Sequence, residues 1–92
     1  MEVFSNNDVG YRKWLSENRD GWVVNTGRSP SPDYMILHRA DCYSGILAFQ
    51  HQNPTKDYTK WCSTDRLELR REVPLKAGGG RVTEKCSCHN QP

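Results

Sequence analysis

Apolar residues occur along this chain in short bursts, and their spacing changes from one burst to the next. Tyr11, Trp14 and Leu15 fall at i, i+3, i+4, the spacing of one helix face, and Asn7 or Asp8 just ahead can accept from the free amides of a first turn. Asp20-Gly21 ends this first predicted helix. Trp22-Val23-Val24-Asn25 is short, β-branched and bounded by turn residues, which predicts a strand. The two prolines of residues 26–33 predict an exposed, stiffened loop. Tyr34-Met35-Ile36-Leu37-His38-Arg39 is nearly continuous in apolar character, as expected of a central strand covered on both faces, with Tyr34, Ile36 and His38 on one side. Ile46-Leu47-Ala48-Phe49 predicts a further strand. Tyr58-Thr59-Lys60-Trp61-Cys62 alternates, with the face of Trp61 expected inward and that of Tyr58, Lys60 and Cys62 outward.

A second, short helix is expected to be capped by Ser63 or Thr64 and stopped by Pro74, with Leu67, Arg70 and Arg71 on one side and Leu69 and Val73 on another. The three glycines at 78–80 predict a loop, and residues 81–86 a last strand. The expected class is therefore α+β, in one domain spanning residues 1–92: an N-terminal helix packed on a small, mainly antiparallel sheet, with a second short helix. The expected core is Trp14, Leu15, Trp22, Val24, Ile36, Leu37, Leu47, Phe49, Trp61 and Leu67.

Composition narrows the function classes. A chain of 92 residues has a small core and gains from any additional staple, while nine aromatics argue against disorder throughout. No run approaches the roughly 18 apolar residues of a membrane span, and Met1-Glu2-Val3-Phe4 does not begin a signal peptide, so the expectation is a cytoplasmic protein with no membrane partner. In that compartment Cys42, Cys62, Cys86 and Cys88 are expected as thiols or metal ligands. Net charge is +2, with the excess in the second half: residues 56–92 hold eight basic and five acidic side chains. No phosphate-binding glycine loop, carboxylate pair or small-molecule substrate motif is visible. His38 with Cys42 is the minimum for a thiolate nucleophile, but no orienting third group accompanies it, and the expectation is a protein that is not an enzyme.

Two clusters carry possible metal chemistry: His38-x3-Cys42, and Cys86-Ser87-Cys88-His89. Closely spaced donor pairs from distant parts of a chain are how structural zinc sites are commonly assembled, which makes His38, Cys42, Cys86, Cys88 and His89 candidate ligands and zinc a candidate structural cofactor, with Cys62 in excess. Each donor also has a plainer role open to it: a histidine satisfied by a backbone carbonyl, or a thiol buried as a small apolar group. Leu37-His38-Arg39-Ala40-Asp41-Cys42, followed by a Ser-Thr-Asp helix start and a terminal Cys-rich knuckle, resembles the metal-binding module of the Ada family of DNA-repair proteins across roughly residues 36–89. The resemblance implies His38 and Cys42 as one ligand pair, with Cys86 and either Cys88 or His89 as the other. The knuckle departs from that family's Cys-x2-Cys, and His38 in place of its first Cys removes any inference of methyl-accepting thiolate chemistry. The chain is also similar to a small bacterial domain with a helix, a stretch like Asn25 to Cys42 and a later Lys-x-Cys, here Lys60 to Cys62.

Aromatic residues interleaved with cations point to nucleic acid. Lys56, Tyr58, Lys60, Arg70, Arg71, Lys76 and Arg81 are the candidate contacts, the tyrosine for stacking and the cations for phosphate. Against this, Arg70 and Arg71 alternate with Glu68 and Glu72 as on any solvated helix face. The alternative is a protein-interaction or accessory module of a bacterial or phage system without metal, engaging through an edge strand or the 26–33 loop framed by Arg28 and Tyr34.

Overall fold

A computed structural model describes residues 1–84. The elements in chain order are β1 (Glu2–Phe4), α1 (Asp8–Glu17), β2 (Trp22–Ser31), β3 (Tyr34–Arg39), β4 (Tyr58–Ser63) and α2 (Arg66–Ala77), with a 3-10 turn at Leu47–Phe49 between β3 and β4. The fold is α+β: the strands form one sheet in the order β1-β4-β2-β3, every neighbouring pair antiparallel. Val23 and Val24, adjacent in β2, are both fully buried. Successive strand residues point to opposite faces, so both faces of the central strand must be covered.

One face of the sheet carries Phe4, Val23 and Cys62 and packs under Tyr11 and Leu15 of α1, with Ala40, Cys42 and Ile46 closing the cluster. The other carries Val24, Met35, Leu37 and Trp61 and packs under Leu69, Val73 and Ala77 of α2, joined by Val82. α1 begins where Asn7 accepts from the Gly10 amide at 3.0 Å. Asp8, one residue on, accepts from both the amide and the hydroxyl of Thr55, and the Asn7 amide donates back to the Thr55 hydroxyl at 2.8 Å. The helix start thereby clamps the chain entering β4. Those donors, the Thr55 hydroxyl foremost, hold the Asp8 carboxyl below its ordinary range.

Several local expectations are corrected by packing. The cap of α2 is Asp65, which accepts from the Leu67 amide at 2.9 Å, while Ser63 accepts from the Asp65 amide and donates to Glu68. Pro74 lies inside α2 and does not end it: Leu69, Val73 and Ala77 repeat at i, i+4, i+8 against the sheet, and their burial outweighs the main-chain hydrogen bond that proline lacks. The same repeat turns Leu67 outward, 66% exposed, and Phe49 is 51% exposed, so both leave the expected core. Residues 46–49 form no strand, because Ile46, Leu47 and Ala48 donate locally to the carbonyls of Cys42 and Tyr43. The 26–33 segment is the far end of a β2–β3 hairpin with an irregularity between Thr26 and Ser31. Lys60 and Cys62, expected outward, are both buried: Cys62 in the cluster under α1, and Lys60 with its ammonium near the rings of Tyr11 and Tyr58.

Gly78, Gly79 and Gly80 all take positive φ. A side chain on Gly80 would lie 2.8 Å from the Pro32 carbonyl oxygen, so the close return of the chain to the hairpin tip requires glycine there. Of the expected last strand, the described residues contribute a single parallel bridge on the outer edge of β3, where Thr83 exchanges hydrogen bonds of 2.8 Å with Met35 and Leu37. No helix among the described residues is long and apolar enough to cross a membrane.

Candidate nucleic-acid interface and metal pair

α1 covers only part of its face of the sheet. Toward the hairpin tip, strand alternation brings Asn25 of β2, Lys60 and Tyr58 of β4 and Tyr34 of β3 to the same side, with Asn25 directly beside Lys60 in register. The segment before β4 rises opposite them as a wall of Phe49, Pro54 and Asp57, held in place by the Thr55 clamp. Between floor and wall lies a cavity of about 390 Å³, onto which His38 and Gly45 also open.

The floor is a relay of side chains. Lys60 Nζ donates to Asn25 Oδ1 at 2.6 Å, and Asn25 Nδ2 donates to the Tyr34 hydroxyl at 3.1 Å. The Lys60 ammonium also lies 5.4 Å from the ring centre of Tyr58 and 5.8 Å from that of Tyr11, within cation–π range. The rings of Tyr34 and Tyr58 are 6.3 Å apart and tilted by 37°. Burial pushes the Lys60 ammonium down to about 8, so it remains mostly charged at neutral pH. Burial pushes the Tyr11 hydroxyl and the Cys62 thiol the other way, which favours the protonated form of both.

His38 in β3 and Cys42 just after it meet over Gly45. A side-chain carbon placed there would lie 2.5 Å from His38 Nδ1 and 3.3 Å from Cys42 Sγ, so the imidazole nitrogen and the sulfur face the same small space, which glycine leaves open. Cys62 does not join them: it pairs with Val23 on the opposite side of β2 from His38, two strand spacings or about 10 Å away. No group of three or more metal-ligating side chains occurs among the described residues. Cys86, Cys88 and His89 lie outside the described residues.

The candidate cations are divided by the fold. Tyr58 and Lys60 line the cavity, and Lys56 is exposed in the segment before β4. Arg70 and Arg71 are on α2, which covers the opposite face; Arg70 pairs with Glu84, which also meets Arg66 at 3.6 Å, and Arg71 pairs with Glu72 at 3.3 Å. Lys76 and Arg81 are exposed on either side of the glycine loop. The six cations therefore do not form one stripe. Sequence reasoning missed Asn25 and the role of Phe49 as a wall. A polar amide in the middle of a β-branched run was the available signal, because asparagine is depleted in strands unless it has a partner.

Comparison with protein-family models, with curated proteins and with solved structures found no match for this chain. Its function is read from its own residues.

Proposed function

We propose that this chain is a small, non-catalytic cytoplasmic module that binds single-stranded nucleic acid across the open part of its sheet and is stabilised by a structural zinc ion. The observation that carries the reading is the grouping of Tyr34, Tyr58 and Phe49, each more than 40% exposed, around the Lys60 ammonium, with the exposed Lys56 two residues before Tyr58 in the chain. Exposed rings offer stacking faces to unpaired bases, and a nearby cation favours a polyanion. With only these few cations near the rings, the contact is modest and draws more on stacking than on phosphate. The alternative, a protein-interaction module, draws on the exposed Leu67 and Leu75 of α2, on the face away from the sheet.

Short single strands of DNA and RNA titrated by fluorescence anisotropy test this reading. Tyr34→Ala and Tyr58→Ala are each expected to weaken binding about fivefold or more, given roughly 1–3 kcal/mol per stacked base. The slope of log affinity against log salt is expected to be shallow, about −1 to −2, from two or three phosphate contacts. Binding that is unaffected by either tyrosine, or by salt, overturns the reading.

Zinc fits the His38–Cys42 pair in donor chemistry: an imidazole nitrogen and a thiol converge on one space, and both ligand types suit a tetrahedral structural ion. The remaining donors would come from Cys86, Cys88 and His89, as the resemblance to the Ada-family module implies. Elemental analysis of untagged protein is expected to find about one zinc per chain. Cys42→Ser and Gly45→Val are expected to lose it, the latter by driving the imidazole from its place, while Cys62→Ser keeps it. Zinc retained in Cys42→Ser, or absent from the parent protein, overturns the metal assignment.

A further inference from the structure

We propose that the cavity between β2, β4 and the Phe49–Asp57 wall receives one unstacked base of the bound strand through a carbonyl-bearing edge, so that cytosine, thymine, uracil or guanine is preferred over adenine at one position. The proposal rests on the nucleic-acid reading above and names the ligand of the same face.

The floor presents protons. Asn25 can be oriented in one way only, because a flipped amide would set its NH2 group against the Lys60 ammonium; Oδ1 therefore accepts from Lys60, and Nδ2 donates to Tyr34. With Asn25 making one hydrogen bond at each end, the floor still offers an incoming group several protons: the remaining N–H bonds of Lys60, the second amide N–H of Asn25 and the hydroxyl proton of Tyr34. A floor of donors selects an acceptor. Cytosine, thymine, uracil and guanine each carry a ring carbonyl oxygen with two lone pairs, whereas adenine offers only ring nitrogens with one lone pair each. An oxygen accepting from Lys60 also replaces part of the hydration that burial has removed from the ammonium.

The rings of Tyr34, Tyr58 and Phe49, with Pro54, favour a flat ligand with apolar faces, while the polar part of the lining, Asp57 included, is left to its edge. The volume of about 390 Å³ is near the lower end of the roughly 300–1,000 Å³ of small-ligand pockets, which suits a single base with part of its sugar. Two other ligand classes fit less well. A phosphate is disfavoured because no arginine among the described residues lines the cavity and the Asp57 carboxylate faces it. A methylated ammonium, which aromatic cages otherwise attract, is repelled by the Lys60 charge in the floor.

The test uses the full chain and a short all-adenine DNA strand, together with the same strand carrying one central cytosine, thymine or guanine. Each single replacement is expected to tighten binding about tenfold, the contribution of a hydrogen bond to a charged donor. Lys60→Met is expected to remove that gain, so that the four strands bind with the same affinity as one another, whatever the variant does to binding of the all-adenine strand. Tyr34→Phe, which keeps the ring and loses only the hydroxyl, is expected to reduce the gain without lowering thermal stability by more than a few degrees, and it serves if Lys60→Met fails to fold. If all four strands bind alike, the base preference is overturned, and if the gain survives both variants, its assignment to this cavity is overturned; in either case the module reading stands. If no strand binds, both fall.

Discussion

Replacing Trp61 by alanine is expected to lower the unfolding free energy by about 3–5 kcal/mol, the range for removing a large buried aromatic side chain. The indole is 7% exposed and packs with Val24, Met35 and Leu37 under Leu69 and Val73 of α2, so its loss opens a cavity between sheet and helix. Its Nε1 donates to the fully buried hydroxyl of Thr26 at 2.9 Å, and that acceptor loses a partner as well. Domains have only about 5–15 kcal/mol in total, and one of 92 residues has little reserve, so the variant is expected to be partly unfolded at 37 °C. Leu67→Ala is the control: it is exposed on the outer side of α2 and is expected to change stability by no more than about 0.5 kcal/mol. Urea denaturation of the two variants side by side measures the contrast. A loss below about 1 kcal/mol for Trp61→Ala would mean that α2 does not seal that face of the sheet.

The second large effect is on the pH dependence of stability, and it comes from Lys60. Burial lowers its pKa from 10.5 to about 8, so the folded chain gives up this proton while the unfolded chain still holds it. Stability rises with pH wherever the unfolded state binds more protons; Lys60 alone raises the unfolding free energy by about 1 kcal/mol from pH 7 to pH 9 and by roughly 3 kcal/mol in total once pH exceeds 10.5. The groups around it act with the opposite sign. Tyr11 on α1 and Cys62 on β4 are buried with raised pKa values, so above about pH 9 to 10 the unfolded chain loses protons that the folded chain keeps, and their contribution declines. Stability is therefore expected to rise from pH 7, pass a maximum near pH 9 to 10 and fall beyond it. In Lys60→Met the rise is expected to vanish, leaving a decline through the same range. Urea titrations at intervals of one pH unit measure this, and a parent protein whose stability is flat or falling between pH 7 and 9 would show that the ammonium is not buried.

How much of this was legible depends on how redundantly each feature is written in the chain. The β2–β3 pair and β4 could be read because β-branched and aromatic runs between turn residues leave little else for those segments to be. The convergence of His38 and Cys42 was legible as an x3 spacing, because a strand end running into a turn can bring such a pair together. That Gly45 leaves the space between them open was not, since it depends on how the turn folds back. α2 offered two apolar stripes, one through Leu67 and one through Leu69 and Val73, and local pattern could not choose between them. The choice follows from the sheet, against which only the second stripe, extended by Ala77 beyond Pro74, makes a continuous contact. β1 is three residues long and has no periodicity of its own; it exists because β4 has a free edge to pair with.

The candidate site divides in the same way. The sequence by itself determined α1, β2, β3, β4 and α2 in their order, the aromatic and cationic content of Tyr58-Thr59-Lys60-Trp61, and the donor spacing of His38 and Cys42, because these rest on contacts between near neighbours in the chain. Only the tertiary structure decided which cations stand together. It placed Arg70 and Arg71 on the far face in ion pairs, sank Lys60 into a floor shared with Asn25 and Tyr34, and raised Phe49 as a wall where core was expected. The physical reason is that strand alternation assigns each residue to a face, while register and the elements packed above decide whether that face is sealed, as it is beneath α1, or left open as a cavity, as it is beside Tyr34 and Tyr58.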